Sequence, residues 1–306
     1  MTEALQALAT ILQEHGVDTA RLHWQEPMSK HTSFRIGGPA QLLYTGRRVE
    51  LPFVLKACME MELPLHVMGN GTNLLVRDGG VDGLMLQVAA QCNDVQINGR
   101  TIYAEAGAML PHVARMACSE GLSGLEFACG IPGTLGGAVV MNAGAYGGQM
   151  DMVVTTVWAL DRDGNEHCFQ NGEIGFAYRH SMFLNQPWIV TRVEMTLAEG
   201  DKASILSRVD QFTKERLAKQ PLDKFSAGST FKRPLGYFAA PMIEQAGFKG
   251  MRLGGAQVSD MHAGFLVNAD NATARDMLAL IGMVQRRVYG LYRVRLEPEV
   301  QIWGKD

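Results

Sequence analysis

Glycine carries the first chemical signal in this sequence. Between Gly130 and Gly148 the chain reads GIPGTLGGAVVMNAGAYGG, seven glycines in nineteen residues. Each interior glycine costs a helix or strand about 0.5–1 kcal/mol relative to alanine. That cost is offset where backbone must approach something closely and aim N–H groups at it. Successive amides in turns form anion-binding concavities, the usual seat of a diphosphate. A second element, Gly69-Asn70-Gly71-Thr72-Asn73, closes the apolar run Leu65–Met68. Two such loops predict one phosphate-bearing ligand held from two sides; a turn-rich connection is the competing reading of either loop alone. Neither loop has the order G-x-G-x-x-G and no G-x-x-x-x-G-K-[ST] occurs, so a Rossmann fold and a P-loop are both disfavoured.

Other groups of chemical interest lie further along. Lys214, Arg216, Lys219, Lys224, Lys232 and Arg233 crowd into residues 214–233, suited to phosphate or simply to water. Arg179 and Ser229, taken singly, are an arginine after a strand and a serine in a turn. Glu297 and Glu299 flank Pro298, which breaks the strand between them, so spacing alone does not say which one faces inward. The eight histidines form no HxxxH or HExxH pair, and no metal is expected. The five cysteines (Cys58, Cys92, Cys118, Cys129, Cys168) are odd in number, widely spaced and without CxxC. They read as buried free thiols of a reducing compartment.

Net charge is −3 with a pI near 6.3, which argues against a bulk nucleic-acid binder. No window reaches the roughly eighteen apolar residues of a membrane span. Glu3 stands where a signal peptide would be positive, so a cytoplasmic chain is expected.

These residues need elements to position them. The spacing predicts a helix from a Thr2 cap to about His15, a helix over 50–61, and strands Leu65–Met68 and Leu74–Val76 around the first loop. Residues 84–89 read as a strand, Val95–Ile97 and Thr101–Ala104 as a hairpin about Asn98-Gly99, and 111–119 as a helix. The long glycine stretch is expected to be poor in regular structure. Val153–Leu160 and Glu166–Gln170 flank Asp163-Gly164, a second hairpin, and Trp188–Leu197 alternates like a strand. Asp201 is expected to cap a helix over 202–219; helices near 242–246 and 272–288 and a strand-like piece from Leu291 to Trp303 follow. Length alone suggests roughly two domains. The element pattern divides three ways: 1–85, 86–199 and 200–306.

GIPGTLGGAVVMNAGAYG, preceded by GNGTNLLV and followed by FAYRHSMF, SAGSTFKRP and LEPEV, resembles the UDP-N-acetylenolpyruvoylglucosamine reductases of bacterial peptidoglycan synthesis. The likeness covers about residues 30–303, with all five motifs in the family's order. It implies an α+β fold: a two-part FAD-binding region of the vanillyl-alcohol-oxidase type (an N-terminal helix and first subdomain in 1–85, a second in 86–199), then an α/β substrate-binding domain in 200–306. It implies NADPH-dependent reduction of an enolpyruvyl ether on a UDP-sugar to a lactyl ether. The short run between Arg179 and Trp188 leaves little room for the family's optional tyrosine-bearing loop. Gly69–Asn73 holds no His or Cys, so noncovalent FAD is expected.

The resemblance also assigns roles. Arg179 matches the catalytic arginine, Ser229 the proton donor and Glu299 the third catalytic position. Gly69, Asn70, Gly71, Thr72 and Asn73, with Gly130, Ile131, Pro132, Gly133, Thr134, Gly136, Gly137, Asn142, Ala143, Gly144, Ala145, Tyr146 and Gly147, would hold FAD. Of the substrate-binding set, Arg216 would reach the substrate's carboxylate or the flavin, and Lys219, Lys224 and Lys232 would meet the UDP diphosphate. His262 reads as a structural histidine. The implied partners are the UDP-sugar enolpyruvate and NADPH, with no nucleic acid or membrane, the chain being a monomer or weak homo-oligomer. Two rival functions share these features: a flavin oxidase acting on an alcohol, and a nucleotide-sugar binding module without redox chemistry.

Overall fold

The structure, a computed structural model, describes residues 2–306 and divides into two compact units. The first takes the chain up to Trp24, Leu42–Asn70 and Gly83–Arg216; the second takes Gln25–Gln41, Gly71–Asp82 and Leu217–Asp306. These interleaved units cut across the three consecutive segments expected from sequence. Most of 1–199 falls in the first unit, and the helix after residue 200 belongs to it as far as Arg216.

Helix α1 (Thr2–Glu14) buries Leu5, Leu8 and Leu12; Thr2 is its first helical residue rather than its cap. Strands β1 (Leu22–Pro27) and β2 (Pro39–Thr45) follow. Helix α2 (Leu51–Glu60) carries Pro52 in its first turn, where no N–H is missed. Then come β3 (Leu65–Met68) and β4 (Leu74–Val76), on either side of the first glycine loop as expected, and β5 (Val81–Gln87). Strand β3 pairs in parallel with β5, Leu65 opposite Leu84, in a sheet of order β1-β2-β5-β3.

Strands β6 (Val95–Asn98) and β7 (Thr101–Glu105) make the expected hairpin, with Gly99 at φ +58°. Helix α3 (Leu110–Ser119), the short β8 (Leu122–Ser123), α4 (Leu135–Val140), β9 (Gly144–Ala145) and β10 (Gly148–Gln149) follow. Strands β11 (Val154–Leu160) and β12 (Glu166–Gln170) form the second hairpin, and β13 (Ile189–Thr196) completes an antiparallel sheet of order β12-β11-β13-β7-β6. After β14 (Ala198–Glu199), helix α5 (Lys202–Lys219) is capped as expected: Asp201 Oδ2 accepts the Ser204 N–H at 2.8 Å.

The second unit adds β15 (Phe225–Ser226), α6 (Ala239–Gln245), β16 (Arg252–Leu253), β17 (Ala256–Val258), β18 (Leu266–Asn268), α7 (Ala274–Tyr292) and β19 (Gln301–Trp303). Strand order is β15-β18-β17-β16, and β19 lies parallel to β4. Thr273 and Asp276 close a reciprocal capping box on α7. That helix runs past Val288 to Tyr292 and stops where Arg293 turns left-handed at φ +57°, so only Gln301–Trp303 of the last segment is strand.

Each unit has its own core. One gathers Leu8, Leu12, Leu55, Val113, Leu135, Val157 and Val193; the other gathers Phe34, Leu75, Phe231, Ile243, Val258, Leu280 and Val284. Four cysteines are buried thiols as expected, but Cys168 on β12 is exposed. No described helix is long and apolar enough to cross a membrane.

Candidate functional site

The two glycine elements meet inside the first unit. A Cβ on Gly69 would lie 2.2 Å from Thr134 Oγ1, so only glycine lets the end of β3 reach the second loop. Thr134 caps α4, accepting the Gly137 N–H at 3.4 Å. This six-residue helix stands in a stretch expected to be irregular, because its cap and its buried Leu135, Ala138 and Val139 outweigh two glycines. The packing also uses amides. Ile131, Gly136, Asn142 and Ala143 donate their N–H groups to Ala128, Ala106, Val139 and Ala138 at 2.8–3.1 Å. The side chain of Asn142 is fully buried and bonds Ala177 O and Asp151. Gly133, Thr134 and Gly136 are buried, while Gly130, Ile131, Pro132, Gly137, Ala143, Gly144, Ala145, Tyr146 and Gly147 keep exposure. The remaining residues of the first loop, Gly71, Thr72 and Asn73, lie in the second unit.

Arg179 is tied to this same stretch. It sits in a tight turn closed by reciprocal bonds between Ala177 and His180, at φ +53°. Its Nη2 donates to Gly144 O at 3.0 Å, and Cζ lies 5.0 Å from the Tyr178 ring centroid. Buried Ser181 donates to Val140 O at 2.8 Å. Three consecutive bonds, through Ala177, Arg179 and Ser181, therefore fix the arginine turn on residues 140–144. Sequence reading took Arg179 alone from this turn; the serine and Asn142 are its supports.

Helix α5 covers the other side of the loop. Tyr146 stacks on Phe212 at 4.3 Å with rings nearly parallel, and its hydroxyl donates to Phe212 O at 3.1 Å. One turn later Arg216 lies across Gly130: a Cβ there would be 3.0 Å from Arg216 Cδ. Phe212 and Arg216, four apart, share one helix face. Burial pushes the Arg216 guanidinium below its ordinary pKa, although it stays charged, and no carboxylate pairs with it among the described residues.

The second unit holds the other two predicted catalytic residues. Gly228 at φ +75° turns the chain into exposed Ser229, whose hydroxyl makes no hydrogen bond among the described residues. Buried Thr230 follows. Its carbonyl accepts the Glu299 N–H at 2.8 Å, and Phe231 bridges Pro298. Asn73 accepts the Gln301 N–H at 3.0 Å and donates to Glu299 O at 3.1 Å. Glu299 is thus bonded to the Asn73 side chain on one side and to Thr230, the neighbour of Ser229, on the other. The two acids also separate: Glu297 is exposed and 3.6 Å from Lys232, whereas Glu299 is half-buried. Lys219 and Lys224 are exposed, the latter 3.5 Å from Asp223.

Comparison with known proteins decides between the readings. Residues 39–168 match the model of an FAD binding domain, and residues 220–303 match that of the UDP-N-acetylenolpyruvoylglucosamine reductase C-terminal domain. The reductase of Alkaliphilus oremlandii is 45% identical over 92% of this chain and 93% of its own. That of Caldanaerobacter subterraneus subsp. tengcongensis is 46% identical over 93% and 94%. The chain belongs to the UDP-N-acetylenolpyruvoylglucosamine reductase family. Among solved structures, the reductase from Thermus caldophilus is 38% identical with a TM-score of 0.79, covering 91% of this chain and 97% of that one.

Family membership gives the glycine loops a ligand to be tested against. The whole first loop, Gly69–Asn73, and the whole second loop fall in the FAD-binding match, while Ser229, Glu299, Lys224 and Lys232 fall in the C-terminal one. Arg179, Arg216 and Lys219 lie in neither. The residues present fit FAD: small residues keep exposure along 143–147, and Arg216 is a half-buried cation without a counter-ion beside Gly130. A buried cation is costly until an anion reaches it.

Two outcomes are expected. Gly69→Ala drives a methyl into Thr134, costing about 1–3 kcal/mol as overpacking does; a melting midpoint and flavin content equal to the parent's would contradict the close contact. Arg216→Ala removes the cation beside Gly130, and FAD affinity is expected to fall roughly 10–10²-fold, the scale of the about 1.5–3 kcal/mol that a hydrogen bond to a charged group contributes. Titration of the apoprotein with FAD checks it, and unchanged affinity would separate Arg216 from the cofactor.

Proposed function

We propose that this chain is an FAD enzyme that reduces UDP-N-acetylglucosamine enolpyruvate to UDP-N-acetylmuramate with NADPH, a step of peptidoglycan precursor synthesis. The observation that carries this reading is likeness to the reductases over both parts of the chain at once. When bound, FAD carries hydride from NADPH to the terminal methylene of the enolpyruvyl group.

The chain's own residues then have three tasks. Negative charge grows on the substrate carbon that bears the carboxylate. Arg179 is the proposed partner of that carboxylate: its planar fork can offer two parallel hydrogen bonds, and Gly144 O anchors its Nη2. Ser229 is the proposed proton source for the same carbon. A serine hydroxyl is a weak acid, but beside a strongly basic carbon placement matters more than acidity. Glu299, held by Thr230 and Asn73, orients substrate or assists that proton. Lys219, Lys224 and Lys232 are proposed for the substrate diphosphate. Lys232 is already paired with Glu297 and would exchange that partner for phosphate.

The test is direct. Purified protein should show flavin absorbance and consume NADPH only when the enolpyruvyl sugar is present, without need of oxygen. A colourless protein that takes up no FAD would leave only the binding-module reading. NADPH-independent consumption of oxygen with an alcohol would make it an oxidase.

A further inference from the structure

Beyond these residues, the geometry points to His262 as a positioning residue for Ser229 and Glu299, acting through a chain of three hydrogen bonds, one from Gly264 to its ring and two between main-chain groups, that requires its imidazole to be neutral. This rests on the proposed reductase function and adds a residue and a pH control to it.

His262 lies in the turn between β17 and β18. Ser259 Oγ accepts the N–H groups of Met261 and His262 at 3.1 and 3.3 Å, and the His262 carbonyl accepts the Phe265 N–H at 3.0 Å. The ring folds back onto its own turn. Nδ1 is 3.1 Å from the Gly264 nitrogen and accepts its N–H. Gly264 permits this: a Cβ there would lie 2.9 Å from the ring's Cε1 and 3.3 Å from Ala240 Cβ on α6. Phe265 holds the ring edge-on at 5.0 Å.

From Gly264 the bonds run straight to the candidate catalytic residues. The Gly264 carbonyl accepts the Thr230 N–H at 2.9 Å. Thr230 Oγ1, fully buried, accepts the Leu266 N–H at 3.1 Å. The Thr230 carbonyl accepts the Glu299 N–H at 2.8 Å. Thr230 is the residue after Ser229. The turn that His262 closes therefore sets the height of the segment bearing Ser229, the proposed proton donor, and through it the backbone of Glu299.

An acceptor at Nδ1 is available only in the neutral ring with its proton on Nε2. Protonation would set an N–H against the Gly264 N–H. The net effect of the surroundings opposes it: burial pushes His262 below the ordinary histidine range and Lys249 adds to the lowering, against a hydrogen bond to its own backbone and the charge of Glu244 on α6, which both work the other way. Glu244 and Lys249 are themselves paired at 2.8 Å, and Asp260 on the same turn is spent on Gln257. The sign follows. Above its lowered folded pKa His262 is neutral and the chain of bonds is intact; as pH falls through that pKa the turn loosens.

Two variants test this. Asparagine can replace the acceptor, since its Oδ1 reaches the N–H two residues on in an Asx turn. Leucine keeps bulk but offers none. His262→Leu should slow reoxidation of the reduced flavin by the enolpyruvyl sugar by about 10–10²-fold, the scale of a misplacement near 1 Å. Reduction by NADPH should not change. His262→Asn should restore most of the rate and lose the acid-side fall seen in the parent. An unaltered rate in His262→Leu, or an unaltered acid limb in His262→Asn, would overturn the proposal.

A second readout does not depend on turnover. In the holoprotein, the amide resonances of Gly264, Thr230 and Glu299 should move with pH at one shared midpoint, that of the His262 ring. The shift should vanish in His262→Asn. Independent midpoints would overturn the inference even if the protein proved not to be a reductase. Shared midpoints without enolpyruvyl-dependent NADPH consumption by the parent would reject the reductase reading and leave the coupling standing.

Discussion

Ser229→Ala is expected to turn over about 10²–10⁴-fold more slowly than the parent chain, the usual loss of a positioned general acid. NADPH should still bleach its flavin at the parental rate, because that half of the cycle needs no proton from this hydroxyl. The structure makes the experiment clean. Ser229 is exposed, its hydroxyl supports no hydrogen bond among the described residues, and the left-handed turn before it is set by Gly228. Removing one oxygen there leaves the Thr230 bonds in place, so stability should stay within about 0.5 kcal/mol. Stopped-flow traces of the two half-reactions provide the measurement. Parental reoxidation by the enolpyruvyl sugar would take Ser229 out of the mechanism.

Arg179→Lys is the second large effect. Charge is retained, so a purely electrostatic role predicts little loss. A forked role predicts much more: lysine presents a point charge on a flexible stem and cannot make two parallel bonds to a carboxylate. Loss of one preorganised donor to a growing charge costs about 10²–10³ in kcat. The backbone is held at φ +53°, and the Ala177 and Ser181 bonds remain, so the turn itself should survive the change. A fall in kcat with flavin reduction preserved is the expected pattern. A rise in KM for the sugar with kcat unchanged would instead make Arg179 a contact of uniform binding.

Much of this was legible in the sequence, for reasons that differ by element. Helix α5 could be read because Asp201 supplies its own cap, and both hairpins because Asn98-Gly99 and Asp163-Gly164 demand left-handed turns. Strands β3 and β4 stood out as apolar runs bracketing glycines. Helix α4 could not be read: its glycines oppose it, and only Thr134 and three packed side chains, fixed by tertiary contact, form it. Strands β17 and β18 were missed because each has three residues, all buried, with no alternation to betray it. At the candidate site, only the resemblance named Arg179 and Ser229; by residue type each is an ordinary arginine or turn serine. Spacing about Pro298 left Glu297 and Glu299 open and only the resemblance favoured Glu299, while the support of Arg179 by Asn142 and Ser181 needed coordinates. Phe212, which stacks on Tyr146, sits in a polar helix whose face toward the loop has too few apolar residues to declare itself.

The pairing of β19 with β4 sets a timetable for synthesis. Among the described residues, the strand partners of Leu74, Leu75 and Val76 are Gln301, Ile302 and Trp303, and Arg77 and Gly79 bond to Trp303 and Lys305. A ribosome adds residues at about 5–20 per second, so β4 must stand open for roughly ten seconds or more after it emerges. Contacts so distant along the chain also close slowly. Nascent chains stalled before Gln301 should therefore remain open to protease near Leu74–Val76, with Val157 and its neighbours already protected.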